Sequence, residues 1–339
     1  MARAIGLLSG GLDSILAVRV LQDQQVDILT VAFVTPFFGS ARAESAAKLL
    51  GVPIRPVDIT GVHFEVVKHP RHGWGRNMNP CIDCHALMLK TAGKIMEAEG
   101  YDFLFTGEVL NERPMSQNRG ALAIVAKESG YPDLILRPLS AKLLDPTKPE
   151  RDGLIDRERL LALSGRTRKP QMELAKRYGI ADYPTPAGGC LLTDPAYSKR
   201  LRDLLDHEPD PPIDDVRLLS LGRHFRLGEK TKLILSRNKA ENDTLELCLR
   251  PGDVKLFVVD VMGPTGLLRG PLAYGYELAA PGNKSPGTDR VLLAASLCAR
   301  YSDAPRNAEA TVHIEVINGS SCNFSLLPAT QETIDPLLV

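Results

Sequence analysis

The apolar positions in the first half of the chain form short runs that alternate with segments of helical spacing. Buried strands are predicted at 4–8, 28–33, 54–59, 103–105 and 134–136. Between them, apolar residues recur at helical intervals over 15–21, 40–50 and 82–99. Alternating strands and helices are typical of an α/β fold with a doubly wound parallel sheet, whose ligands bind at the carboxyl ends of the strands.

The pattern changes in the second half of the chain. Helices are predicted at 156–164 and 169–178, and the proline-rich, acidic segment 208–212 predicts a linker. Beyond it, short strands separated by turns are predicted at 232–235, 245–249, 256–259 and 311–316. The segment 291–298 fits either a helix or a strand. We therefore predict two domains, 1–207 and a smaller β-rich domain over 208–339.

The turn after the first strand carries an anion-binding pattern, Ser9-Gly10-Gly11-Leu12-Asp13-Ser14. The two glycines let the backbone turn sharply and come close to a ligand. Backbone N–H groups at the helix start and the two serine hydroxyls can bind phosphate, and Asp13 can hold Mg²⁺. The loop lacks the Gly-Lys-Ser/Thr ending of a Walker A motif. It resembles the SGGxDS loop of the PP-loop ATPases, a family that cleaves ATP between its α- and β-phosphates and adenylates a substrate.

Polar residues also follow the fourth predicted strand. They are Thr106-Gly107-Glu108 and, farther on, Ser116-Gln117. Because the carboxyl ends of parallel strands meet at one edge of a sheet, this cluster indicates a part of the same site.

Three of the six cysteines suggest chemistry. Cys81 and Cys84 form a Cys-x-x-Cys pair at the predicted start of a helix, where thiolates are favoured, and Cys190 ends a loop rich in proline and glycine over 184–189. Uneven spacing fits a reducing cytosol better than a disulfide framework. The residues leave open a structural zinc site with His85, or a persulfide and resolving pair of Cys81 and Cys190 without metal.

Composition narrows the class of partner. The 339 residues are 44% hydrophobic and carry a net charge of zero, so nucleic-acid binding needs local patches. Two basic segments qualify, an N-terminal one at 151–177 and a C-terminal one at 222–239. No apolar run is long enough to span a membrane, and a strand is predicted from the first residues, so we expect a cytoplasmic protein without a signal peptide.

Together these features resemble the tRNA thiouridine synthetases over about residues 1–205. The Thr-Gly-Glu and Ser-Gln block looks most like the ThiI-type 4-thiouridine synthetases, and the three cysteines look like those of TtuA-type thiolases. The segment from about Leu221 is similar to the NFACT-type RNA-binding module.

The resemblance implies a tRNA sulfurtransferase that uses ATP and Mg²⁺ to adenylate a uridine carbonyl and replace its oxygen with sulfur. It implies Cys81, Cys84 and Cys190 as ligands of a [4Fe-4S] cluster whose open iron carries sulfide. It also implies catalytic roles for Asp13, Cys81 and Cys190. The resemblance assigns contacts with the nucleotide or uracil to Ser9, Gly10, Gly11, Asp13, Ser14, Thr106, Gly107, Glu108, Ser116 and Gln117.

The expected partners are tRNA and a sulfur donor, either a cysteine desulfurase or free sulfide. 4-Thiouridine is the favoured product, and a tRNA 2-thiouridylase is the alternative. Two other classes stay open, a PP-loop amide ligase and a non-catalytic RNA-binding protein.

Overall fold

The computed structural model describes residues 1–183, 189–270 and 288–339. The chain divides into two compact units, Met1–Asp194 and Pro195–Val339. No helix in the described ranges has the length and apolar character needed to cross a bilayer. Residues 184–188 of the loop predicted before Cys190 lie outside the described residues.

The first unit alternates strands with helices in the predicted order. Its strands are β1 (Arg3–Leu7), β2 (Asp27–Val34), β3 (Ile54–Asp58), β4 (Phe103–Phe105) and β5 (Ile135–Leu136). Its α-helices are α1 (Leu12–Gln22), α2 (Ala41–Leu50), α3 (Thr60–Lys68), α4 (Cys81–Glu99), α5 (Arg119–Ser129), α6 (Lys148–Arg151) and α7 (Lys169–Arg177).

These strands form a parallel sheet in the order β3-β2-β1-β4-β5. One core joins side chains of the sheet to α1, α2 and α7, and a second core joins the opposite faces of the strands to α4 and α5. The predicted doubly wound α/β fold is therefore confirmed. Because the first strand is central, its carboxyl end and the loop after it lie in the middle of one sheet edge.

The helix predicted at 156–164 is wrong. The segment contains only a 3₁₀ turn, Arg157–Arg159. The Asp156 side chain accepts a hydrogen bond from Glu158 N at 2.9 Å, and Arg157 donates to Leu144 O at 2.8 Å. These contacts tie the segment to its surroundings one side chain at a time, in place of a helical ladder.

The second unit is β-rich, as predicted. Its strands are β6 (Arg223–Gly228), β7 (Thr231–Leu235), β8 (Val254–Val258), β9 (Gly266–Arg269), β10 (Ala310–Val316) and β11 (Ser321–Leu326). In the described residues they form one antiparallel sheet in the order β11-β10-β8-β9-β7-β6. Its helices are α8 (Pro195–His207), α9 (Ile213–Leu218), α10 (Lys239–Leu247), α11 (Thr288–Arg300) and α12 (Gln331–Ile334).

Two segments of the second unit are helical where the sequence predicted a strand or left the choice open. The strand predicted at 245–249 is wrong, since most of it ends α10, which begins after Asn238 accepts a hydrogen bond from Glu241 N at 3.0 Å. The ambiguous segment 291–298 lies within α11, whose buried side chains join the core beneath the sheet.

Helix α8 belongs to the second unit by its contacts. Tyr197 is buried and donates a hydrogen bond to Val216 O at 3.3 Å. Asp203 pairs with Arg226 at 2.6 Å and with Lys232 at 3.0 Å. The division of the chain thus falls before α8, whereas the linker composition places it after this helix.

Gly6 in the central strand provides a test of the sheet packing. It pairs in register with Phe105, and a Cβ at Gly6 would lie 2.3 Å from the buried ring of that residue. We expect Gly6→Ala to lower the free energy of unfolding by about 1–3 kcal/mol, measured by urea titration. The control is Gly61→Ala in α3, where no atom lies within 4 Å of the new Cβ. This change should raise stability by up to about 1 kcal/mol. A wild-type urea midpoint for Gly6→Ala would contradict the described packing.

Candidate functional site

The loop between β1 and α1 is held by a close approach of two backbones. Gly10 has φ +77°, and a Cβ there would lie 2.5 Å from the backbone carbon and oxygen of Arg42, at the start of α2. Only glycine fits such a contact without displacing the loop. Gly11 is the N-cap residue of α1 and has no side chain to cap the helix. N–H groups of the first helical turn can therefore bind an anion.

The two serines of this loop stabilise its shape. Ser9 Oγ accepts from Gly11 N at 3.3 Å and lies 3.3 Å from Ser14 Oγ. Ser14 Oγ in turn donates to Gly11 O at 2.8 Å. Both hydroxyls therefore lie at the helix start, where an anion would bind.

The Thr-Gly-Glu block lies directly against this loop. A Cβ at Gly107 would lie 2.5 Å from Ser14 N and 2.6 Å from the backbone carbon of Asp13. The first turn of α1 thus packs on the backbone that follows β4. The tertiary structure brings together two motifs that are far apart in sequence.

Glu108 is the buried centre of a polar network. Its carboxylate accepts hydrogen bonds from Thr106 Oγ1 at 3.0 Å and from Arg137 Nε at 3.0 Å, and it lies 2.9 Å from His85 Nδ1. Burial by itself would raise the pKa of Glu108, but Arg137 and His85 outweigh burial and hold that pKa at about 2. These partners occupy the carboxylate that the resemblance assigns to nucleotide or uracil.

The Ser-Gln pair shapes the loop after β4. Ser116 and Gln117 are buried, and Gln117 Oε1 accepts from Arg113 N at 3.1 Å. The backbone N–H of Asn111, which has φ +62°, donates to Gln117 O at 2.7 Å. These bonds close the chain into a turn between Asn111 and Gln117.

Asp13 is the least satisfied acid of the site. Its Oδ1 is buried and has no hydrogen-bond partner among the described residues. Burial raises the pKa of Asp13, and the charges of Arg168 and Arg113 and a side-chain hydrogen bond from Gln171 lower it in part. A buried, unpaired carboxylate oxygen beside a helix start fits a ligand of Mg²⁺. Burial and the neighbouring Asp13 likewise raise the pKa of Glu112.

The sequence pattern does not identify most of these neighbours of Asp13. Arg168 lies in the N-terminal basic segment, and Gln171 lies in the helix predicted at 169–178. No local pattern marks them, because they reach Asp13 only through the packing of α7 against α1.

Tertiary hydrogen bonds bring Cys190 close to the start of α4. Cys190 precedes a 3₁₀ turn, Leu191–Thr193. The turn is attached to the loop after β2 by Leu191 N, which donates to Phe37 O at 3.0 Å. It is attached to the loop before α4 by Asn77 Nδ2, which donates to Thr193 O at 2.7 Å. Cys190 therefore lies near Cys81 and Cys84.

Neighbouring thiols raise the pKa values of Cys84 and Cys190, whereas the sequence predicted a favoured thiolate in the Cys-x-x-Cys pair. Burial raises the pKa of Cys84 well above its ordinary value, and Cys190 and Cys81 raise it further. Burial, with Cys81 adding to it, raises the pKa of Cys190 to about 11. The prediction of a favoured thiolate is wrong for Cys84, because desolvation outweighs the helix start.

The cysteines do not form a metal site as they are arranged. Across the described ranges, no three His, Cys, Asp or Glu side chains are grouped so that they could hold a metal ion. Cys84 Sγ lies instead 3.1 Å from Nε2 of the buried His63, whose pKa burial lowers to about 4. His85, the fourth ligand considered for zinc, lies against Glu108.

Many cations of the two basic segments are neutralised within the protein. In the N-terminal segment, Arg157 pairs with Glu150 and Arg151 with Asp133. Among the described residues, the exposed cations of this segment include Arg166, Lys169, Lys176 and Arg177.

The C-terminal basic segment is neutralised in the same way. Arg226 and Lys232 share Asp203, and Arg237 pairs with Glu241. Burial also lowers the pKa of Lys232 to about 8. The density of basic residues in this sequence therefore overstates the charge that the surface offers to RNA.

One family model matches part of the chain. Residues 222–337 match the family described as the NFACT protein RNA binding domain, which confirms the resemblance predicted for the segment after Leu221. No curated protein matches the chain.

Three solved structures are similar to parts of the chain. The C-terminal part of the fibronectin/fibrinogen-binding protein from Streptococcus suis is 14% identical, and the match covers 50% of this chain and 77% of that one, with a TM-score of 0.28. A predicted subunit of tRNA methyltransferase from Methanocaldococcus jannaschii is 16% identical. That match covers 52% of this chain and 76% of the other, with a TM-score of 0.34. A 4-thiouridine synthetase in complex with RNA and bound ATP is 22% identical. That match covers 64% of this chain and 52% of the synthetase, with a TM-score of 0.39. The chain thus spans about half the length of that synthetase, and no partial overlap of this kind assigns an activity.

The buried Glu108 predicts a pH dependence of stability. Its pKa in the folded chain, about 2, lies below the ordinary 4.5, so the unfolded chain binds the proton first as the pH falls. The stabilisation is complete above about pH 4.5 and is lost as the pH falls towards 2. We expect Glu108→Gln to cost about 3–5 kcal/mol at pH 7, because Arg137 stays buried without its carboxylate.

Urea titrations at several pH values should show this cost shrinking between pH 5 and pH 2.5. The control is Glu173→Gln, at an exposed position in α7, which should leave stability unchanged. A cost for Glu108→Gln that stays constant with pH would contradict the assigned network.

Proposed function

We propose that this protein is an ATP-dependent tRNA sulfurtransferase that adenylates a uridine carbonyl and replaces its oxygen with sulfur. 4-Thiouridine is the favoured product, and 2-thiouridine is the alternative. One observation carries the proposal. The glycine loop, with the unpaired Asp13 oxygen, lies against Gly107 at the sheet edge, and a backbone hydrogen bond attaches the turn after Cys190 to Phe37, in the loop after β2.

The glycine loop suits the pyrophosphate end of ATP. N–H groups at the start of α1 and the hydroxyls of Ser9 and Ser14 can donate to phosphate oxygens. Asp13 would hold Mg²⁺, which supplies positive charge to the pyrophosphate when it is bound. Donors fixed in this way stabilise the charge that develops on the leaving group without further rearrangement.

The reaction then needs two displacements. The uridine carbonyl oxygen attacks the α-phosphorus, and pyrophosphate leaves into the glycine loop. Sulfide then attacks the adenylated carbon, and AMP departs with the original oxygen. Atoms balance, because the product gains one sulfur and AMP carries away one oxygen.

The ionisation state of the cysteine thiols limits their role in sulfur transfer. With a pKa of about 11, the Cys190 thiol is ionised only to the order of 10⁻⁴ at neutral pH. In this protonated state it is a poor nucleophile. The proposed sulfur donor is a cysteine desulfurase or free sulfide. Cys81 and Cys190 are partly exposed and can meet this sulfur, whereas Cys84 is buried.

The RNA partner rests on the second unit. Its match to an RNA-binding domain family over residues 222–337 supports RNA as the bound macromolecule. An amide ligase would not need such a domain. The 4-thiouridine synthetase structure contains the same two ligands, RNA and ATP. Its similarity covers only part of each chain, so it is not used as support.

Release of AMP tests the proposal. With tRNA, sulfide and Mg²⁺, radiolabelled ATP should yield AMP and pyrophosphate, and nucleoside mass spectrometry should find thiouridine in the tRNA. Asp13→Asn should lower the rate by about 100-fold or more. It should not unfold the protein, because the buried Asp13 Oδ1 has no hydrogen bond to lose.

A matched control is Asp23→Asn at the other end of α1, which should keep the activity. AMP formation that needs ammonia and no tRNA would identify an amide ligase instead. Absence of AMP formation with every tRNA tested would favour a non-catalytic RNA-binding protein.

The [4Fe-4S] cluster stays a prediction. Its ligands would be Cys81, Cys84 and Cys190, but their described arrangement does not fit a metal-binding group, so no step above depends on it. The cluster hypothesis predicts a brown protein after anaerobic purification, with iron and sulfide that are lost in Cys81→Ser, Cys84→Ser and Cys190→Ser. The control is Cys248→Ser. A colourless wild type that thiolates tRNA would exclude the cluster, and bound zinc would indicate a structural site.

A further inference from the structure

A strip of part-exposed side chains crosses three neighbouring strands of the second unit's antiparallel sheet. Farther along the same face, Leu267 of β9 packs with Leu218 of α9 and Leu245 of α10. On β8, β10 and β11, by contrast, the side chains of this face stay half-buried or exposed. We call them the outer strip, and they are Lys255, Phe257, Thr311, His313, Glu315, Ser321, Asn323 and Ser325.

The opposite face of these strands is core. Leu256 of β8 and Val312 and Ile314 of β10 are fully buried and belong to the core that includes α11. Because side chains alternate along a strand, the residues between them point away from this core. Phe257 is therefore a large aromatic side chain that the core does not use, among neighbours that are mostly polar.

The centre of the outer strip is an aromatic pair. Phe257 and His313 lie in register on neighbouring strands, with ring centroids 4.9 Å apart and ring planes inclined by 36°. On the next strand, Asn323 lies in register with His313, and its Oδ1 is 2.7 Å from His313 Nδ1. Both rings are half-buried and Asn323 is exposed, so the three strands present ring surface beside an amide.

The polar groups beside the rings match the edge of a nucleobase. An amide oxygen only accepts, so His313 Nδ1 donates to Asn323 Oδ1. In the neutral ring, Nε2 is then an acceptor, and Asn323 Nδ2 carries two donors. Lys255 Nζ lies 5.5 Å from the ring centroid of Phe257, where Glu246 of α10 binds it at 2.7 Å. Ring surface, donors, acceptors and a cation are the groups that bind an unpaired nucleotide.

We propose that the outer strip binds single-stranded RNA, with unpaired bases stacked on Phe257 and His313. This inference rests on the proposed function, because it takes RNA as the partner of the second unit, but it does not depend on ATP or sulfur chemistry. It assigns the contact to aromatic rings, in place of cations of the C-terminal basic segment that pair with acids, such as Arg226. Bases inside a double helix are stacked on one another, so the strip selects RNA with unpaired bases.

Fluorescence anisotropy of the full chain tests the inference with three probes. They are a single-stranded RNA of about ten nucleotides, its duplex with the complementary strand, and tRNA. Phe257→Leu should raise the Kd for the single strand by about 5- to 100-fold, because a base loses its stacking partner, and leave the Kd for the duplex unchanged. Phe257→Tyr keeps an aromatic ring and should retain the wild-type affinity for the single strand.

The matched control is Phe324→Leu, the same substitution on β11. Phe324 lies on the opposite face and packs against the core beneath the sheet. This variant should lower the Tm and keep the wild-type Kd for the single strand. Thermal unfolding of both variants therefore separates loss of a stacking surface from loss of stability.

A wild-type Kd for the single strand in Phe257→Leu would overturn the inference, and so would an equal loss of duplex binding. Binding of tRNA but not of the single strand by the wild type would overturn the inference and leave the proposed function standing. Failure of the wild type to bind any of the three RNAs would overturn both. If Phe257→Leu separates a dimer in sedimentation without changing RNA affinity, the outer strip is a contact between copies of the chain, and the inference is wrong.

Discussion

The close approach of backbones at Gly10 and Gly107 is the constraint on which the candidate site depends. At both positions a Cβ would lie 2.5 Å from another backbone, that of Arg42 or of Ser14. A side chain at either glycine would have to move a whole strand end or helix start. The loop after β1, the start of α2 and the backbone after β4 are therefore locked into one arrangement.

The pKa values of two acids at this sheet edge are shifted in opposite directions. Glu108 is surrounded by donors, so its pKa falls to about 2 and its charge stabilises the fold. Asp13 keeps a buried oxygen without a partner, so burial raises its pKa. A satisfied carboxylate contributes rigidity, whereas an unsatisfied one costs stability until a ligand arrives. This contrast separates the support of the site from the place where a ligand would bind.

Local patterns predicted the parallel sheet well, because each strand is a short apolar run between helices of regular period. They failed where the outcome depends on distant side chains. Residues 156–164 have helical spacing, but hydrogen bonds to other segments hold them in irregular structure. The apolar run at 245–249 resembles a strand, yet Asn238 caps a helix that contains most of it. The basic segments likewise contain cations whose partner acids are distant in sequence, such as Asp203, so residue density alone overstates their free charge.

The sequence by itself determined the fold class of the first unit. It also predicted a phosphate-binding role for Ser9–Ser14 and chemistry at three cysteines, since each prediction uses only residue type and spacing. Only the tertiary structure decided that Gly107 packs on Asp13, that Glu108 is occupied by Arg137 and His85, and that Arg168 and Gln171 meet Asp13. The physical reason is that burial and pairing set the charge state and availability of a side chain. Both depend on atoms brought near by packing, which the order of residues along the chain does not reveal.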